Sequence, residues 1–160
     1  MDLPAHQLSM TVLMTPDMAN FSGNVHGGTV LKLLDQVAYA CAARYAKRYV
    51  VTLSVDQVMF LQPIHVGELV TFLASVNHTG RSSMEIGVKV LTENIRTQAV
   101  RHANSCFFTM VAMGDDGKPV AVPVRVGATD GSFTQVVGDI KAGDQVITSG
   151  GPKPKAKAAQ

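Results

Sequence analysis

Tryptophan is absent from the 160 residues, cysteine occurs only twice, and charged residues make up just 16% of the chain. Each shortage removes a class of answer. Two cysteines, Cys41 and Cys106, cannot build a disulfide scaffold, and both lie in apolar segments without metal-ligand spacing, so they read as buried, reduced thiols of a cytosolic protein. A net charge of +2, with no dense Lys/Arg patch interleaved with aromatics before the C-terminal tail, argues against nucleic acid as a partner. No segment approaches the roughly eighteen uninterrupted apolar residues of a membrane span, so no membrane partner is expected. The N-terminal MDLPAHQLSM has neither a basic region nor an apolar run, so nothing marks it for secretion and a cytoplasmic location is expected. The five histidines form no HxxxH or HExxH pattern, so no metal site is expected, and no separate cofactor is expected either.

What the chain does have is a hydrophobic fraction of 46%, at a length that suits one domain with a core and a short appendage. From Gly28 to about Arg48 the apolar residues Val30, Leu31, Leu33, Leu34, Val37, Ala38, Cys41, Ala42 and Tyr45 recur at helical spacing. Asp35 falls on the border between that apolar face and a polar arc through Lys32, Gln36 and Tyr39, where a side chain can point into a cleft. Around this helix lie runs rich in β-branched residues: Leu8 to Met14, Val50 to Phe60, Leu69 to Asn77, Ser82 to Leu91 and Arg101 to Met113, separated by turn residues. One long helix among antiparallel strands is an α+β layer arrangement, and a helix apolar around most of its circumference predicts a sheet that wraps it.

The stretch NFSGNVHGGTVLKLLD, Asn20 to Asp35, carries the most chemistry. A helix N-terminus presents unpartnered N–H groups and the positive end of the peptide dipole, so it suits an oxyanion or a phosphate. Gly27 and Gly28 let a ligand approach, Asp35 offers a carboxylate and Asn24 an amide. Plainer roles stand beside these: a solvated helix-face carboxylate for Asp35, ordinary turn chemistry for Asn24, a helix cap for His26 and close packing for the two glycines. Eight residues separate Gly27 from Asp35, about 12 Å along a helix axis at ~1.5 Å per residue, too far for one carbonyl to touch both. If both ends act, the turn of one protomer must face the helix of another, which predicts an obligate homodimer with two composite sites.

GNVHGGTVLKLLDQVAYACAARYA, then VTLSVDQVMFLQPIHVGELV, then NHTGRSSMEIGVKV resemble the acyl-CoA thioesterases of the hot-dog fold, specifically the cytosolic acyl-CoA hydrolase branch, over roughly residues 8–123. The resemblance implies hydrolysis of fatty acyl-CoA to free acid and coenzyme A. It implies that the helix start, His26, Gly27, Gly28 and Thr29, holds the thioester carbonyl, with Asp35 as general base or nucleophile and Asn24 as the turn residue that assists. It further implies that Arg81, Ser82 and Ser83 contact the phosphates of coenzyme A, although a hairpin turn with a solvated Arg explains them equally. Sites across dimer interfaces, often within hexamers, go with that family. Asp56 reads as a residue for a cross-strand or interface hydrogen bond, and Met59, Met84, Met110 and Met113 as core filler, some of them lining an acyl channel.

From Val124 the pattern changes to VRVGATDGSFTQVVGDIKAGDQVITSGG, which has β-hairpin grammar and is similar to the C-terminal end of periplasmic efflux adaptor (membrane-fusion) proteins over residues 124–151. Convergence on a turn-rich extension of the sheet is the alternative. The division is therefore a thioesterase-like body over 1–123, a β-rich extension over 124–151, and a disordered PKPKAKAAQ tail over 152–160. Two other functions stay open on this reading: a non-catalytic acyl-CoA or CoA-binding module, and a fusion whose tail belongs to an efflux adaptor.

Overall fold

The helical rhythm of the sequence becomes α1, Gly27–Ala46, in a computed structural model that describes residues 3–122, 125–129 and 134–137. α1 ends two residues earlier than its periodicity suggests, because Lys47 adopts left-handed backbone (φ 54) and turns the chain out of the helix. Five strands accompany it: β1 (Gln7–Leu13), β2 (Val50–Asp56), β3 (Glu68–Thr79), β4 (Ser83–Asn94) and β5 (Val100–Ala112). They form one antiparallel sheet in the order β1-β3-β4-β5-β2, which leaves β1 and β2 as its edges.

Alternation along the central strands sends Phe72, Ala74 and Val76 of β3, Ile86, Val88 and Val90 of β4, and Cys106, Phe108 and Met110 of β5 to the inner face. Against it α1 presents Val30, Leu34, Val37, Ala38, Cys41, Ala42 and Tyr45, all buried. Burying each large apolar side chain contributes roughly 1.5–3 kcal/mol, so this single helix-to-sheet interface is the main source of stability. The helix touches all five strands. That is the hot-dog arrangement expected from the sequence, with one difference in the wrapping. The sheet covers only part of the helix, and Leu31, Asp35 and Tyr39, spaced four apart, stay exposed along one stripe.

The second strand also departs from expectation. Its apolar, β-branched composition runs on to Phe60, but pairing stops at Asp56 because Gln57 takes a positive φ of 29 and breaks the ladder. Within β2 the register against β5 slips between Thr52 and Ser54, a β-bulge. At the C-terminal side, β6 (Arg125–Thr129) pairs antiparallel with β7 (Thr134–Val137), the first hairpin that the extension's pattern suggests. The KAGDQV turn and the tail at 152–160 lie outside the described residues. Among the described residues no helix is long and apolar enough to cross a membrane, and no group of three His, Cys, Asp or Glu is placed to hold a metal ion.

Both thiols are buried, Cys41 on the inner face of α1 and Cys106 within β5. Desolvation pushes each up to about 11, with Arg44 opposing part of the effect at Cys41. The fold therefore holds protons that the unfolded chain releases above its ordinary thiol pKa of 9.0, so stability is full below that value and declines as pH rises towards 11. Native protein should react slowly with a thiol reagent until denatured. Its urea midpoint should fall between pH 8 and pH 10.5 by more than that of the Cys41→Val, Cys106→Val double variant; equal falls would remove the thiols from the account.

Candidate active site

The turn before α1 is built by its own amides. Asn20 Oδ1 accepts from the N–H groups of Ser22 (2.9 Å) and Asn24 (3.2 Å), and the Asn20 N–H donates to the Asn24 carbonyl at 2.7 Å. Gly23 supplies the positive φ of 78 that lets the chain reverse. The loop is then tied down twice, by Val25 N–H to the Ile64 carbonyl (2.8 Å) and His26 N–H to the Met18 carbonyl (2.8 Å).

His26 is the N-cap of α1: its Nδ1 accepts from the Gly28 N–H at 2.9 Å. A Cβ on Gly28 would stand 3.1 Å from that nitrogen, so the glycine makes room for the capping ring. Thr29 and Val30 donate to the His26 carbonyl at 2.9 and 3.2 Å. The expectation of a helix start with free donors is thus corrected in part. Gly28, Thr29 and Val30 already spend their N–H groups within the chain, and holding a carbonyl at Gly28 requires His26 to release its bond.

Asn24 is committed as well. His65 Nδ1–H donates to Asn24 Oδ1 at 2.9 Å, and the two residues form an isolated antiparallel bridge. Behind His65 stands buried Glu68, whose Oε2 accepts the His65 N–H at 2.9 Å while its carboxylate takes Arg101 Nη2 at 2.7 and 2.9 Å. Arg101 also donates to the Pro63 carbonyl and to Gln62. This charge-assisted network fixes the 62–68 segment on which the turn before α1 rests.

Asp35 lies elsewhere, two turns further along α1. Its Oδ1 accepts from Thr52 Oγ1 at 2.7 Å, across from β2. Beside it opens a groove of about 590 Å³ walled by Leu31, Val55, Val58, Phe60 and Phe108, with Lys32 and Asp35 as its charged residues. A carboxylate held by a hydroxyl at the rim of an apolar groove can take a proton from water or attack a carbonyl, while the groove accommodates a hydrocarbon chain.

Arg81 and Ser82 occupy the β3–β4 turn, Ser83 opens β4, and none of the three is brought to either group. The Ala112 and Val122 N–H groups donate to the carbonyls of Ser82 and Arg81 (2.9 and 2.8 Å), and Val122 lines a cavity with Ala46 and Lys47, at the C-terminal end of the helix. One protomer therefore separates the predicted residues into three places: Asn24 to Thr29 at the helix start, Asp35 at its middle, Arg81 to Ser83 at its end. Asp56 pairs opposite Phe107 at the end of the β2–β5 ladder.

The chain, whose five-stranded antiparallel sheet packs on one helix, is similar to known proteins in both sequence and structure. Residues 22–99 match the thioesterase superfamily. Protein VdlD of Helicobacter pylori is 48% identical over 135 residues, covering 84% of this chain and 77% of that one. The chain belongs to the thioesterase superfamily. Among solved thioesterases, an apo-hexameric acyl-CoA thioesterase superposes with a TM-score of 0.72 at 38% identity, covering 73% of this chain and 75% of that one. The acyl-CoA hydrolase of Staphylococcus aureus, solved with butyryl coenzyme A, coenzyme A and coenzyme A disulfide, superposes at 0.70 with 32% identity, covering 73% and 71%. Alanine variants of that hydrolase at an aspartate, an asparagine and a threonine have also been solved.

Sequence reasoning missed Thr52, His65, Asn20 and the Glu68–Arg101 pair. Thr52 and His65 meet their partners across 17 and 41 residues, and no local pattern marks them. Removing the Arg101 guanidinium leaves a buried carboxylate without its counter-charge, so Arg101→Ala should lose roughly 3 kcal/mol of stability by urea denaturation. Glu68→Gln, which removes the charge, should lose less. Equal losses would show that the charge itself contributes little.

Proposed function

We propose that the chain hydrolyses acyl-CoA thioesters to free acid and coenzyme A at sites shared between two protomers, with Asp35 as the catalytic carboxylate. The observation that carries this reading is the Asp35–Thr52 pair at the rim of the apolar groove. Thr52 fixes one carboxylate oxygen and leaves the other to act on the thioester carbonyl or on the attacking water; the thiolate of coenzyme A then departs and takes up a proton.

The residues altered in the Staphylococcus hydrolase support it further. The asparagine and aspartate lie fifteen residues apart in that sequence and the aspartate and threonine seventeen. Asn20, Asp35 and Thr52 have the same two intervals here. This favours Asn20 over Asn24 as the amide that polarises the carbonyl, and it agrees with Asn24 being bound to His65. Asn24 then braces the turn, and Gly27 and Gly28 bring the positive helix end close to the developing oxyanion.

Separation of the turn from Asp35 along one helix makes the dimer part of the proposal. The uncovered Leu31–Asp35–Tyr39 stripe adjoins edge strand β2, where Leu53 is 68% exposed, and a second copy covers both. Solved relatives are described as hexameric, which suits a trimer of such dimers. Arg81, Ser82 and Ser83 reach a coenzyme A phosphate only from another protomer's hairpin. A binding module without turnover does not need the Asp35–Thr52 pair, and a tail-defined function leaves the groove unused.

Asp35→Ala should lower kcat/KM for thiol release from acyl-CoA by about 10²-fold or more, and Thr52→Ala by about tenfold, the value of one hydrogen bond. Unchanged turnover in Asp35→Ala would refute its role. Co-refolding Asp35→Ala with Asn20→Ala should restore about a quarter of wild-type activity, because half of the dimers are mixed and each has one intact site. No recovery would place the whole site within one protomer.

A further inference from the structure

Between β2 and β3 the chain does not return directly to the sheet. From Gln57 to Leu61 it forms a strap along the Asp35 groove, with Val58 and Phe60 lining it and Gln57, Met59 and Leu61 exposed. Two hydrogen bonds tie the strap to β5: Asn104 Nδ2 donates to the Met59 carbonyl at 2.7 Å, and the Leu61 N–H donates to the Ala103 carbonyl at 3.0 Å. Asn104 is fully buried on the inner face, and its Oδ1 has no hydrogen-bond partner. An amide kept in an apolar core for one bond, with its other end unsatisfied, is a poor choice for stability alone.

The bond it makes sets the height of Phe60. That ring lies over the first turn of α1, 3.7 Å from where a side chain on Gly27 would begin, and it is 49% exposed. Phe60 thus adjoins both the groove beside Asp35 and the helix start at Gly27.

We propose that Phe60 is the residue that determines which acyl groups fit, and that Asn104 is a positioning residue that holds it there through the strap. The proposal rests on the acyl-CoA reading above. An aromatic ring across the apolar groove limits the length of hydrocarbon that enters; removing the ring, or releasing the strap beneath it, opens the groove to longer chains. Because Phe60 is half exposed, truncating it leaves the core intact. Asn104→Leu keeps the volume and apolar character of a core position, and the exposed strap lets the Met59 carbonyl bind water instead.

The experiment compares wild type, Phe60→Ala and Asn104→Leu on acyl-CoAs from butyryl to palmitoyl, with melting temperatures alongside. Dissociation constants for non-hydrolysable thioether analogues of the same lengths give a readout that needs no turnover. Both variants should raise the palmitoyl-to-butyryl ratio of kcat/KM at least tenfold, mainly through KM, and shift the analogue affinities in the same direction. Phe60→Leu should fall between wild type and Phe60→Ala. A ratio within twofold of wild type in Phe60→Ala overturns the assignment. A shifted Phe60→Ala with an unshifted, folded Asn104→Leu removes Asn104 from it. Wild type that hydrolyses no acyl-CoA but binds the analogues defeats the enzyme reading and leaves the affinities to decide this one; failure to bind any analogue overturns both.

Discussion

Everything in this molecule depends on one helix being more apolar than a single sheet can cover. Five strands bury Val30, Leu34, Val37, Ala38, Cys41 and Tyr45, and the stripe of Leu31, Asp35 and Tyr39 is left over. The same geometry that stabilises the fold therefore leaves a carboxylate at the junction of helix, edge strand and groove. A helix fully enclosed by its sheet would be stable without this site; one lying on a flat sheet would expose too much apolar surface.

The two ends of the motif are held by different means. At the turn, hydrogen bonds within the loop are backed by the Asn24–His65 and Glu68–Arg101 contacts, which tie the start of the helix to the ends of β3 and β5. At Asp35 a single hydroxyl from β2 sets the carboxylate. Several polar groups over-determine the turn, whereas Asp35 stands on an exposed stripe of the helix and is held by one hydroxyl.

Much of the fold was legible in the sequence, because helical and alternating periodicities are direct consequences of burial. Val30 to Tyr45 revealed α1, and alternation marked the central strands. The errors have specific causes. Val58 and Phe60 have strand composition but leave the ladder, since Gln57 takes a conformation that residue type does not announce. Lys47 ends the helix in the same silent way. In the site, Asp35 was visible from its place on the helix border and His26 from its place before the first turn, where the capping reading proved to be the structural one. Thr52 and His65 were not visible, because what makes them matter is a partner brought near by the fold. Arg81 to Ser83 were readable as a turn, but their position at the far end of α1 follows only from the strand order.

The slip in register between Thr52 and Ser54 gives β2 two parities. Thr52 reaches the helix to bind Asp35, and Val55, three residues later, lines the groove beside the same carboxylate. On a regular strand, residues an odd number apart point to opposite faces. The extra residue at Leu53 resets the alternation so that one strand can present first a hydroxyl to Asp35 and then a hydrocarbon wall to the groove beside it. Spacing in β2 therefore matters as much as residue identity: losing one residue here, with every other side chain kept, would turn either Thr52 or Val55 away from Asp35 and its groove.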